Sequence, residues 1–144
     1  RIIGEHNGIV TQFHRDAVLA TFNVPVQDAE HASNAFKAAR MMLARVTEHA
    51  FAGERILIRI GINTGPLVAG NVGGGGRQSY SVYGDTVNVA ARLETLCKDH
   101  DTSLLLSATT AKALPYEKLV ATGDITIRGH KESVTVFSIP DKSG

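Results

Sequence analysis

In Tyr80-Ser81-Val82-Tyr83-Gly84-Asp85-Thr86-Val87-Asn88-Val89-Ala90-Ala91-Arg92-Leu93-Glu94, an aromatic and β-branched run gives way to helical spacing within two residues. Ser79 to Tyr83 predicts a strand. Gly84-Asp85 then opens a helix, with Asp85 expected as its N-cap and Val87, Ala90, Ala91 and Leu93 along it. Asn88 and Arg92 stand four residues apart, which puts both side chains on one face of that helix. A helix N-terminus carries partial positive charge and suits a phosphate. Arginine offers fixed donors to phosphate oxygens, and asparagine can orient a hydroxyl. A plainer reading stays open beside this one, in which Asn88 faces solvent and Arg92 pairs with Glu94 or another surface carboxylate.

Upstream, Ile56, Ile58, Ile60 and Ile62 alternate with Leu57, Arg59 and Gly61, the period of a strand with one buried face. Gly65-Pro66 punctuates it, and Leu67 to Val72 continues as a second extended piece. Gly73 to Gly76 followed by Arg77 reads as a loop. It does not fit the phosphate-cradling P-loop, because no Gly-Lys-Ser/Thr follows. Further back, residues 28–50 carry Ala29, Ala32, Ala35, Phe36, Ala39, Met42, Leu43 and Val46 at helical spacing, with Asp28 as the expected N-cap.

Residues 9–22 predict two short strands meeting around His14-Arg15-Asp16. A carboxylate at such a tip can meet a hard divalent cation, since Mg²⁺ is commonly held by one or two carboxylates plus substrate phosphates. Asp16 also has a simpler reading as a solvated turn residue. Downstream, Thr102 to Leu106 predicts a short strand and Thr109 to Leu114 a short helix. Leu119 to Ile139 predicts a hairpin around Arg128-Gly129-His130-Lys131. Strands interleaved with helices, several of them in adjacent hairpins, indicate an α+β fold: a mostly antiparallel sheet backed by helices.

Composition narrows the function. The chain has 144 residues, the size of one domain, and is 43% apolar and 20% charged, enough to bury a core. Fifteen Lys and Arg against 14 Asp and Glu leave a net charge of +1, so no basic face points to nucleic acid. Cys97 is the single cysteine, which excludes an internal disulfide and CxxC metal clusters and fits a reducing, cytoplasmic setting. It falls in the second half of its helix, where nothing activates it. No apolar run is long enough to span a membrane, and the N-terminus lacks a secretion signal. With Arg rather than Met at position 1, the chain is expected to belong to something longer. The six histidines show no zinc-ligand spacing, and no G-x-S-x-G elbow occurs.

These pieces together resemble a class III nucleotidyl cyclase catalytic domain. Tyr80 to Glu94 is similar to that family's strand-to-helix signature, and Ile60-Gly61-Ile62-Asn63-Thr64-Gly65-Pro66 with Ala69-Gly70-Asn71-Val72-Gly73 to the hairpin before it. Ile127-Arg128-Gly129 resembles its phosphate-contacting tripeptide. The resemblance runs from about Gly8 to Ile139. It implies a palm-like, ferredoxin-related α+β core that converts ATP or GTP to a 3′,5′-cyclic monophosphate plus pyrophosphate. In that implied site Asp16 matches one of two aspartates that hold two metal ions, Mg²⁺ or Mn²⁺. Asn88 matches the residue that positions the ribose and Arg92 the one that stabilises charge on the α-phosphoryl. Arg128 matches a cation on the terminal phosphates, with Arg77 as a second. Gln12 and Ser81 fall at the two base-reading positions.

The resemblance also implies a head-to-tail homodimer, the metal aspartates coming from one chain and the Asn/Arg pair from the other. The family's first metal aspartate lies on a strand upstream of residue 1, so a single, N-terminally incomplete catalytic domain lacking that first strand is expected. Adenylyl cyclases of the family carry Lys and Asp or Thr at the base positions, and guanylyl cyclases carry Glu and Cys. Gln12 and Ser81 match neither set, but a serine hydroxyl can accept from the adenine amino group, which favours ATP. Arg15 stands where the family has Gly, and this supports an alternative: a catalytically silent cyclase-homology domain acting as a dimerising regulatory module. A diguanylate cyclase is disfavoured by the lack of any GG[DE]EF sequence.

Overall fold

The computed structural model describes residues 2–6, 8–14, 17–23, 29–48, 58–66, 68–72, 79–100, 102–126 and 133–139. Four helices and eight strands follow one another in these: α1 (Ile2–Glu5), β1 (Gly8–His14), β2 (Ala17–Phe22), α2 (His31–Glu48), β3 (Ile60–Ile62), β4 (Val68–Val72), β5 (Ser79–Tyr83), α3 (Asp85–Leu96), β6 (Leu104–Ser107), α4 (Ala108–Lys112), β7 (Val120–Thr126) and β8 (Ser133–Ser138). The expected α+β class holds. The pairing is more divided than a single antiparallel sheet. A four-stranded sheet runs β3-β6-β8-β7, while β1-β2 and β4-β5 form two separate antiparallel ribbons. The β3-β6 pair is parallel, with Ile60, Gly61 and Ile62 opposite Leu104, Leu105 and Leu106.

The run Leu104-Leu105-Leu106 explains the layering. All three side chains are buried, and successive residues of a strand point to opposite faces, so β6 is covered on both sides. Leu105 packs with Val89, Leu93 and Leu96 of α3, with Cys97, and with Ile125 and Val136 of the β7-β8 hairpin. Leu104 and Leu106 pack on the other side with Ala32, Phe36 and Ala39 of α2, with Leu114, and with half-buried Ile60, Ile62 and Phe137. The sheet is therefore a middle layer between α2 and α3.

Several expectations needed correction. Gly84, not Asp85, is the N-cap of α3; Asp85 is the first helical residue, where its carboxylate still favours the positive helix end. Gly84 has φ 126°, a conformation that a side chain would strain, so the strand-to-helix turn depends on glycine there. The inner face of α3 is Val89, Leu93 and Leu96, whereas Ala91 is exposed and Val87 and Ala90 are half-buried. Ala29 lies in an exposed turn before α2, and Ala38 joins the buried residues of that helix. The strand expected from Ile56 is described only over Ile60–Ile62; Ile58 and Arg59 are not in it, and 56 and 57 lie outside the described residues. The short helix α1 was not foreseen. Asp28 and the glycine run Gly73 to Gly76 also lie outside the described residues.

Candidate active site

The β5-to-α3 junction carries three of the candidate residues, Ser81 on the strand and Asn88 and Arg92 on the helix. Gly84 ends β5 and caps α3, so the helix leaves the strand directly, and Val87 and Asn88 donate their amides to the Gly84 carbonyl at 3.1 and 3.2 Å. The N-cap, a glycine, makes no side-chain capping bond, and this end of a helix suits an anion. Asn88 and Arg92 follow on one exposed side of α3, one turn apart. The Glu94 carboxylate accepts the Thr95 hydroxyl at 3.4 Å, and among the described residues Arg92 makes no ion pair. Arg92 is thus not tied to Glu94.

Two base-reading candidates sit on strands that meet beside this helix. Ser81 is on β5, opposite Gly70 of β4, and Gln12 is on β1, opposite Leu19 of β2. β5 touches both α3 and β1, so the strand bearing Ser81 adjoins both the helix bearing Asn88 and Arg92 and the strand bearing Gln12. The β1-β2 register shifts between Val10 and Gln12, and Thr11 Oγ1 donates to the Leu19 carbonyl at 3.3 Å within that irregularity. The two strands close at the His14–Ala17 pair, as expected for a hairpin, with Arg15 and Asp16 between them in sequence. Asp16, Arg15, Arg77 and Arg128 all lie outside the described residues.

No group of three or more His, Cys, Asp or Glu that could hold a metal occurs among the described residues. No helix among them is long and apolar enough to cross a membrane. Cys97 caps the C-terminal end of α3, where its thiol donates to the Ile60 carbonyl at 3.5 Å. Burial pushes this thiol up to about 11, only partly opposed by that hydrogen bond, so it is no nucleophile at neutral pH.

Sequence reasoning assigned no role to the residues that fix α3 in place. Gly61 lets the backbones of β3 and α3 touch: a Cβ there would lie 2.5 Å from both the Ala90 carbonyl oxygen and the Glu94 nitrogen. Asn63 Nδ2 donates to the Thr86 carbonyl at 3.0 Å, and the Thr86 hydroxyl donates to the Pro66 carbonyl. The first of these links spans 23 residues, so periodicity could not reveal it. Its only signal was that these residues fall inside the quoted motifs.

The family described as the adenylate and guanylate cyclase catalytic domain matches residues 3–140. Adenylate cyclase 1 of Rhizobium meliloti (strain 1021) is 35% identical over 96% of this chain, which spans 22% of that protein's length. The catalytic core of a rhodopsin-guanylyl cyclase with converted specificity, in complex with ATPαS, superposes with a TM-score of 0.80 at 26% identity, over 94% of this chain and 73% of that one. The guanylate cyclase domain of RhGC from Catenaria anguillulae, in complex with GTP, gives a TM-score of 0.80 at 26% identity, over 94% of this chain and 74% of that one. With α2 and α3 on either side of the sheet and an exposed Asn/Arg pair leading off β5, the chain belongs to the adenylate and guanylate cyclase catalytic domain family.

Proposed function

We propose that this domain converts ATP, in preference to GTP, to the 3′,5′-cyclic monophosphate and pyrophosphate, in cytoplasmic signalling. The observation that carries the reading is the exposed pair Asn88 and Arg92, one turn apart on a helix that starts directly from the strand bearing Ser81. In the reaction the ribose 3′-oxygen bonds to the α-phosphorus, its proton leaves, and the bond to pyrophosphate breaks. Arg92 donates to the α-phosphoryl oxygens, where negative charge grows in the transition state. Asn88 holds the ribose so that the 3′-oxygen faces the phosphorus. Arg128, with Arg77, neutralises the terminal phosphates and so favours pyrophosphate as leaving group. Gln12 and Ser81 read the base edge.

Asp16 is the one residue of this chain proposed to hold Mg²⁺ or Mn²⁺, two ions per site, which supply Lewis-acid charge at the hydroxyl and the triphosphate. A second copy, arranged head to tail, brings its hairpin carboxylate to the Asn88/Arg92 face. The preference for ATP rests on Ser81, which can accept from the adenine amino group. The similar folds in complex with ATPαS and with GTP support a scaffold compatible with either base.

The test is a cyclase assay on the full-length protein, offering ATP and GTP separately, each with Mg²⁺ and with Mn²⁺. Cyclic AMP is the expected main product. No product from a folded dimer overturns the enzyme reading and favours the silent regulatory module, for which Arg15 beside Asp16 is the supporting observation.

A further inference from the structure

We infer that Asn63 and Thr86 are positioning residues: they clamp the first turn of α3 to the segment after β3 and thereby set where Asn88 and Arg92 stand. This rests on the cyclase reading above. Thr86 lies two residues before Asn88, and both its polar groups are engaged outside the helix. Its hydroxyl donates to the Pro66 carbonyl, and its carbonyl accepts from Asn63 Nδ2 at 3.0 Å. A carbonyl at this position already receives the helix's own amide four residues on, so the Asn63 bond uses its second lone pair. That bond adds nothing to helicity; it fixes where the helix end sits.

The anchor is itself held by hydroxyls. The Thr109 hydroxyl, with one proton, donates to the Thr64 carbonyl at 2.8 Å, and Asn63 Oδ1 lies 3.4 Å from the same oxygen. Thr64 Oγ1 lies 2.8 Å from Thr110 Oγ1, which is fully buried and also reaches the Ile62 carbonyl at 3.4 Å and Ser107 Oγ at 3.0 Å. Segment 63–66 is thus tied by hydroxyls to the junction of β6 and α4. Gly65 belongs to the same fit, because a Cβ there would meet Thr86 Oγ1 at 2.8 Å.

The rest of α3 gives little control over its axial position. At Gly61 the helix rests on bare strand backbone, and its buried face packs through apolar contacts, which resist separation more than sliding; at its far end the Cys97 thiol adds a weak sulfur hydrogen bond to the Ile60 carbonyl at 3.5 Å. The end clamp supplies the missing constraint. Its hydrogen bonds are exposed or half-buried, so losing them should cost the fold little. A small shift of the first turn would displace both Asn88 and Arg92.

The experiment compares Thr86→Val and Asn63→Asp, which keep shape but remove the donor, with Thr86→Ser, which keeps the hydroxyl. Steady-state turnover of ATP, thermal unfolding, and amide hydrogen exchange along α3 are measured on the full-length protein. We expect Thr86→Val and Asn63→Asp to lower kcat by roughly ten- to a hundredfold, with KM and melting temperature little changed, as for a small misplacement of catalytic groups. Thr86→Ser should recover most of the lost turnover. Exchange should quicken at Val87 to Ala91 in the two donor-less variants and stay as in the parent at Leu93 to Leu96. Parent-like kcat in both donor-less variants, or an equal loss in Thr86→Ser, overturns the inference. If the parent protein makes no cyclic nucleotide, the cyclase reading fails. The exchange pattern then decides the clamp alone, and unaltered exchange at Val87 to Ala91 overturns it.

Discussion

The two faces of α3 are built to different requirements. The inner face, Val89, Leu93 and Leu96, is almost fully removed from water against Leu105, Ile125 and Val136. Each residue there is accounted for by packing, since apolar area removed from water is the main favourable term in folding. The outer face carries Asn88 and Arg92 in solvent. Nothing in the packing asks for them, and asparagine is a poor helix former. One helix therefore separates what the fold needs from what the fold leaves free. The free face is where chemistry can be placed without loss of stability.

The sharpest way to break this contrast is to cut each face in turn. Leu93 is fully buried, so Leu93→Ala should lower unfolding free energy by about 3 kcal/mol, through lost transfer energy plus a cavity. Denaturant unfolding measures this. A loss below about 1 kcal/mol would show that the site collapses and that the inner face is less tightly specified than its burial implies.

Arg92→Ala is the counterpart on the outer face. Its unfolding free energy should stay within about 0.5 kcal/mol of the parent, as for an exposed residue that makes no ion pair among the described residues. Turnover should fall by roughly a hundredfold or more, the usual consequence of losing a donor aimed at developing charge. If stability fell as well, Arg92 would belong to the fold and the separation of faces would fail. A parent-like rate would remove Arg92 from the reaction.

How much of this could be read from the sequence depended on range. Helix α3 and strand β5 were legible because their apolar residues keep a local period, and the hairpins β1-β2 and β7-β8 because two such runs flank polar turns. That Asn88 and Arg92 share one side of α3 was legible from spacing, whereas any role for them came from the family resemblance. Burial on both sides of Leu104-Leu105-Leu106 was not, because a continuous apolar run names no partners. The cap of α3 was misassigned because Asp85 is a better cap by type, whereas the turn needs the positive φ of Gly84. The Asn63–Thr86 bond was invisible because it joins residues far apart in sequence, and only the tertiary fold brings them together.

Cys97 extends the inner face to the helix end, and its titration probes that face chemically. Its folded pKa, pushed up to about 11 by burial, lies above that of an unfolded cysteine, near 8.5. Below about pH 8 both states hold the proton, and the full contribution of the buried thiol is present. As pH rises through that unfolded value, the unfolded chain ionises first, and stability falls until the folded thiol also ionises near 11. The loss should be on the order of 3 kcal/mol. Unfolding curves at pH 7, 9 and 10.5 for the parent and for Cys97→Ala (about the window set by the two pKa values) would isolate it, because the variant lacks this slope. Parallel pH profiles would mean that the thiol is less buried than its place beside Ile60 indicates.

The smallest expected effect carries the contrast from α3 to the ribbon that meets β5. Gln12 sits on β1 at the register shift, and its amide can both donate and accept, so it discriminates poorly between purine edges. Lysine has donors only. In Gln12→Lys, adenine N1 would still find a donor, whereas the N1–H and amino group of guanine would face no acceptor. Leaving such donors unpaired costs 1–3 kcal/mol, so the ratio of kcat/KM for ATP over GTP should rise about tenfold. The comparison needs both nucleotides at the same divalent ion concentration and a stability measurement on the variant. A raised ratio at parent-like stability would give β1 the same division seen on α3, with a position free of the fold used for recognition. An unchanged ratio would remove Gln12 from base reading and leave Ser81 as the sole candidate for it.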